Sequence, residues 1–165
     1  MRKTIDPMSE TQRIFDQLKR AYNGEAWHGP PLREILLDVT AEQAAAHPLP
    51  NAHSIWELVL HIMAWQDAAR NVLGGTPINV PPEVNFPTIS DTSDDAWHDA
   101  LTTLEASHYA LREAITRLTN DDLNTPVNNT DTGRRYSIYV LLHGVIQHNL
   151  YHAGQIVMLK KALAG

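Results

Sequence analysis

Two histidines stand four residues apart near the end of the chain, His148 and His152 in QHNLYHAGQIVMLKK. On a helix that spacing sets both imidazoles on one face. It is the ligand spacing of the zinc-protease motif H-E-x-x-H. Asn149, however, stands where that motif has its glutamate, and an amide cannot take up a proton as a carboxylate does. A third imidazole, His61 in HSIWELVLHIMAWQD, falls on the apolar stripe of another segment. Burying a neutral imidazole without partners costs roughly 1–3 kcal/mol per polar group, so three histidines at core positions are a poor filling but a good ligand set. Three imidazoles and a water make a common catalytic zinc arrangement, and imidazole also suits nickel, iron and copper. The reading is a divalent metal ion, zinc or nickel with iron or manganese as further options, held by His61, His148 and His152. A ferritin-like di-iron centre needs two Glu-x-x-His motifs and two more glutamates, and only Glu105-x-x-His108 has the spacing. The plain alternative is a bundle whose core histidines are satisfied without metal.

Other residues could support such a site. Gln155 lies three beyond His152 and seven beyond His148, on the same helical face, and could hydrogen-bond a metal-bound water or ligand. Glu57, one turn before His61, could orient an imidazole or serve as base, but the capping box Ser54-x-x-Glu57 accounts for it. His53 reads as a local cap or turn residue and His108 as core. His143, five before His148 and so about 140° round the helix, faces elsewhere. His28, His47 and His98 read as surface or loop. Trp56 and Trp65 are assigned to the core, and Gly154 to a close approach by a neighbouring helix. Tyr151 fits a pocket or an interface. Arg134 and Arg135 read as a solvated loop, with an anionic substrate as the rival.

Four amphipathic segments must position these groups. The first runs from about Ser9 to Asn23, opened by a Ser9/Gln12 capping box and stopped by Gly24. The second runs from about Ser54 to Leu73, with Leu58, His61, Trp65, Ala68 and Val72 on one stripe and Gly74-Gly75 after it. A third spans about Asp94 to Leu118 and a fourth about Ser137 to Leu163, each roughly 35–40 Å long at about 1.5 Å per residue. That length suits a helix-hairpin pair forming one wall of a bundle. Between the first two, prolines leave room for short helical turns around Leu32–Val39 and Ala41–Ala46. TPINVPPEVNFPTISDTS reads as a long loop without regular structure, a candidate lid. No strand pattern competes, so the expected fold is an all-α four-helix bundle, one domain over residues 1–165 with short extra helical turns in the first crossover.

Composition narrows the function. The chain has 165 residues, 43% of them hydrophobic and 19% charged, and a net charge of −6, with no basic cluster for nucleic acid. It contains no cysteine, which excludes disulfides, thiolate nucleophiles and cysteine-based zinc sites. No apolar run reaches membrane-spanning length and MRKTIDPMSETQ lacks the apolar core of a secretion signal, so a cytoplasmic protein is expected.

HSIWELVLHIMAWQD, followed some 80 residues later by HGVIQHNLYHAGQIVMLKK, resembles the DinB/YfiT-like superfamily, and the resemblance extends to GEAWHGPPLREIL in the first crossover. It implies a four-helix bundle holding a divalent metal through the histidine of LVLHI, here His61, and the two of the terminal motif, here His148 and His152. It also implies frequent homodimers, metals that vary between zinc, nickel and others, and several chemistries. Some members are S-transferases using low-molecular-weight thiols such as bacillithiol or mycothiol; others are maleylpyruvate isomerases or hydrolases. The expected function is a divalent-metal-dependent thiol S-transferase or hydrolase acting on a small molecule, with a weak lean to thiol transfer because no base is evident. The rival is a non-catalytic metal-binding or stress-response bundle.

Overall fold

A computed structural model describes residues 8–130 and 132–164; the ends of the expected domain, 1–7 and Gly165, lie outside it. Four long helices dominate: α1 (Glu10–Asn23), α4 (Ile55–Leu73), α6 (Asp94–Thr116) and α7 (Ile138–Leu163). Each begins at a serine whose hydroxyl accepts a backbone N–H in the first turn, at Ser9, Ser54, Ser93 and Ser137. A hydroxyl at that position satisfies one of the donors that a helix start leaves free. Ser9/Gln12 and Ser54/Glu57 complete the reciprocal capping box that the sequence announces. The expected turns of the first crossover form α2 (Leu32–Leu36) and α3 (Ala41–Ala45). The Lys160 ammonium ties α2 to α7 by donating to the Ile35 carbonyl at 2.7 Å and to the Asp38 carboxylate.

Three findings correct the sequence reading. First, the proline-rich segment after α4 is not structureless: it holds a short helix, α5 (Pro82–Asn85), whose prolines pre-set the helical φ at its start. Second, a two-stranded antiparallel ribbon, β1 (Pro126–Asn128) with β2 (Arg135–Ser137), joins α6 to α7. Strands of three residues are too short to show an alternating pattern, and the turn between them includes Gly133 at φ 66°, which glycine adopts without strain. Ile78 hangs the α4–α6 crossover on this ribbon, its N–H donating to Asn128 and its carbonyl accepting from Thr130. Third, α6 and α7 do not form a wall as a hairpin pair. Both α4 and α1 pack against α6 and α7, which places α1 and α4 at opposite corners, and likewise α6 and α7. Diagonal steps need long connections, and the α1–α4 and α6–α7 connections are long.

The core divides in two. One apolar cluster takes Ile14 to Ala21 of α1, Ala64 to Val72 of α4, Leu111 and Ile115 of α6, and Ile138 to Ile146 of α7. The other takes Ile55 to Ile62 of α4, Trp97 to Leu104 of α6, and Ala153 to Leu159 of α7, with α2 and α3. Buried polar residues lie at the changeover on three of these helices: His61 and Gln66 on α4, Ser107 and His108 on α6, Asn149 and His152 on α7. None of the described helices is long and apolar enough to cross a membrane.

Candidate metal centre

The changeover is where the expected ligands meet. His61 enters from α4, two turns inside its capped start, and His148 and His152 from successive turns of α7. The Nε2 atoms of His148 and His61 are 3.0 Å apart, and those of His148 and His152 3.1 Å. One ligand atom from each ring lies within 4.8 Å of the others.

The far sides of two rings decide what these nitrogens can do. His61 donates its Nδ1–H to the backbone carbonyl of Asn85 at 3.0 Å, and His152 donates its own to Gln155 Oε1 at 2.8 Å. A neutral imidazole with its proton on Nδ1 presents a bare lone pair at Nε2. Burial, acting first, lowers the pKa of all three histidines, to about 3 for His148, where the neighbouring His152 and His61 add to it. The cluster is therefore neutral at pH 7, the form that binds metal. Two lone pairs and a third nitrogen then converge on one small volume. Zinc-like bonds of about 2.0–2.1 Å in a tetrahedral arrangement hold nitrogens roughly 3.3 Å apart, close to the 3.0 and 3.1 Å that separate His148 from the other two rings, with the remaining pair within 4.8 Å, so the donor set suits a divalent ion.

Gln155 thus meets the site through the far nitrogen of His152, and not through a ligand position. Glu57 is taken up by its cap: its carboxylate accepts from Ser54 N–H at 2.7 Å and lies 3.1 Å from His47 Nε2 and 3.4 Å from His53 Nδ1. Burial would raise its pKa, but the Ser54 hydrogen bond and the two imidazoles outweigh that and lower it. His28, His47 and His98 are all exposed as expected, and His47 has Glu57 as a partner. His143 faces away, against Tyr139 and toward Glu10. His108 is core, fully buried against the Tyr22 ring at 4.0 Å. Gly154 is no point of close approach, since a Cβ there would meet nothing within 4 Å.

Three residues at the site escaped the sequence reading. Asn85 holds His61 with its carbonyl and the Trp65 indole N–H with its side chain, at 2.9 Å. Phe86 stacks between two imidazoles, 4.2 Å from His61 and 3.9 Å from His53. Trp65, assigned to the core, instead stands half-buried with its ring 5.8 Å from that of His148. It also lines a cavity of about 400 Å³ that opens beside His61 and His148. The proline-rich segment was a recognisable lid candidate. A backbone carbonyl arriving from 24 residues away leaves no mark in composition.

No curated protein matches the sequence. The fold is shared by solved structures, among them two bacterial proteins. A conserved protein from Enterococcus faecalis superposes with a TM-score of 0.71 at 17% identity, covering 96% of this chain and 99% of its own. YfiT from Bacillus subtilis, described as a probable metal-dependent hydrolase with an unusual four-helix bundle topology, gives a TM-score of 0.69 at 12% identity over 98% of this chain and 93% of its own. The sequence itself matches the DinB superfamily over residues 27–156, a span that holds all three histidines together with Asn85 and Phe86, and the chain belongs to that family.

Proposed function

We propose that His61, His148 and His152 hold a divalent metal ion and that the protein is a metal-dependent enzyme of hydrolase type acting on a small molecule. The observation that carries this reading is the convergence of three Nε2 atoms whose ring partners, Asn85 and Gln155, already hold two of the Nδ1 protons. A divalent cation held by three imidazoles supplies Lewis acidity at an open position, enough to acidify a water or a thiol near pH 7. The chain's own residues set the frame: Asn85 and Gln155 fix two rings in the ligating tautomer, and Phe86 packs over His61. Among the described residues no carboxylate or fourth histidine joins the group, which favours an open site over a closed structural one. The description of YfiT as a probable metal-dependent hydrolase supports the choice of hydrolysis. The missing carboxylate favours a second reading, thiol transfer, in which acidifying a thiol replaces the base.

Elemental analysis of protein from unsupplemented cells is the test. About one divalent ion per chain is expected in the wild type, and less than a tenth of that in His61→Ala, His148→Ala and His152→Ala. The metal-loaded protein is then assayed on esters and amides, and on electrophiles with low-molecular-weight thiols. Sub-stoichiometric metal in the wild type overturns the reading, and turnover only with a thiol selects the second.

A further inference from the structure

The cavity beside the histidines has an unusual wall. Trp65 of α4, Tyr136 of β2, and Val140, Leu141 and Val145 of α7 line it together with His61 and His148. No Asp, Glu, Lys or Arg is among its lining residues. At about 400 Å³ it lies within the range of small-molecule sites, which are mostly apolar with a few convergent polar groups. Here the polar groups are the two imidazoles and the Tyr136 phenol.

Gly144 completes the lining, two turns inside the 26-residue helix α7. A glycine inside a helix weakens it relative to alanine, so its presence asks for a reason. No turn requires it, its φ is not positive, and a Cβ there would meet nothing within 4 Å. No neighbouring element needs the room. What the missing side chain leaves open is the cavity itself.

We propose that this cavity seats the non-reacting body of the substrate, an uncharged aromatic or branched aliphatic group, and that Gly144 determines the size of body admitted. The assignment as a substrate seat rests on the metal-centre reading, because His61 and His148 form the wall at which the reacting end arrives. A charged body would give up its hydration with no counter-ion in the lining. An aromatic one meets the faces of Trp65 and Tyr136, the kind of contact such rings favour.

The test uses the full-length zinc-loaded protein and 2-naphthol, with heat of binding and zinc content read separately. Saturable one-to-one binding is expected. Gly144→Leu should weaken it at least tenfold and Gly144→Ala by less, with zinc content unchanged and melting temperature equal or higher, since both residues are better helix formers. The same ring carrying a sulfonate should bind at least tenfold more weakly than 2-naphthol. Full zinc with no 2-naphthol binding, or with Gly144→Leu binding as the wild type does, overturns the cavity proposal and leaves the metal centre standing. Binding with no zinc uptake overturns the metal centre, and the substrate seat with it. A wild-type dimer that Gly144→Leu converts to monomer, with no 2-naphthol binding in either, makes this face a contact between copies and overturns the proposal as well.

Discussion

Single side chains explain both what the chain announces and what it conceals about its site. His61, His148 and His152 are visible because a polar ring on an apolar stripe is costly unless something claims it. His108 obeys the same rule differently. It is fully buried, neither ring nitrogen has a hydrogen-bond partner, and burial pushes its pKa down to about 3, with the Arg112 charge adding to the effect. In the unfolded chain the same group titrates near 6.5. Between those values the unfolded chain binds the proton and the folded one does not, so stability is complete above about pH 6.5 and declines as the pH falls toward 3. His108→Leu should therefore flatten the acid limb of the stability curve by up to about 1.4 kcal/mol per pH unit below pH 6. Urea denaturation of both proteins at several pH values measures this, and parallel curves would place the proton uptake elsewhere. Asn85 and Phe86 belong to the concealed part. Their contribution depends on where the backbone returns, and neither residue type sits in a pattern that reveals it.

The four long helices were legible because each couples a serine cap to a repeating apolar face, and their observed bounds differ from the expected ones by at most two residues. The turns of α2 and α3 were legible too, but α5 and the ribbon were not, since four residues of α5 and three of each strand carry too little periodicity to stand out. Yet α5 is the element that covers His61. Its last turn is held by backbone bonds from Val84 and Asn85 to the Pro81 carbonyl, both 2.9 Å, and by the Phe86 ring stacked between His53 and His61. Ring pairs of this kind are worth about 0.5–1.5 kcal/mol each. Phe86→Ala should therefore speed amide hydrogen exchange at Val84 and Asn85 about tenfold while leaving the interior amides of α4 unchanged. Uniform acceleration through α4 would mean that Phe86 supports the whole bundle and not the cover alone.

At the scale of the molecule, metal binding and folding should be linked, because the three ligands come from two helices more than eighty residues apart in the chain and meet only in the folded bundle. An ion present at a hundred times its dissociation constant adds about 2.7 kcal/mol, or about 5–10 °C in melting temperature for a protein of this size. Zinc or nickel should raise the wild-type transition by that much, a chelator should reverse it, and His148→Ala should not respond. Equal shifts in wild type and variant would assign the effect to nonspecific binding. The diagonal arrangement of helices lay beyond sequence reading, since the same four stripes would serve an ordinary up-and-down bundle. The split core bears on that choice of arrangement. A slip of α7 by one turn along α4, about 5.4 Å, would set one of His148 and His152 in the other's place beside His61 and carry the second into aliphatic surroundings. That stranded polar group would then cost about 1–3 kcal/mol. The histidines therefore act as an alignment mark between the helices, and the fold is in register for the metal before any ion arrives.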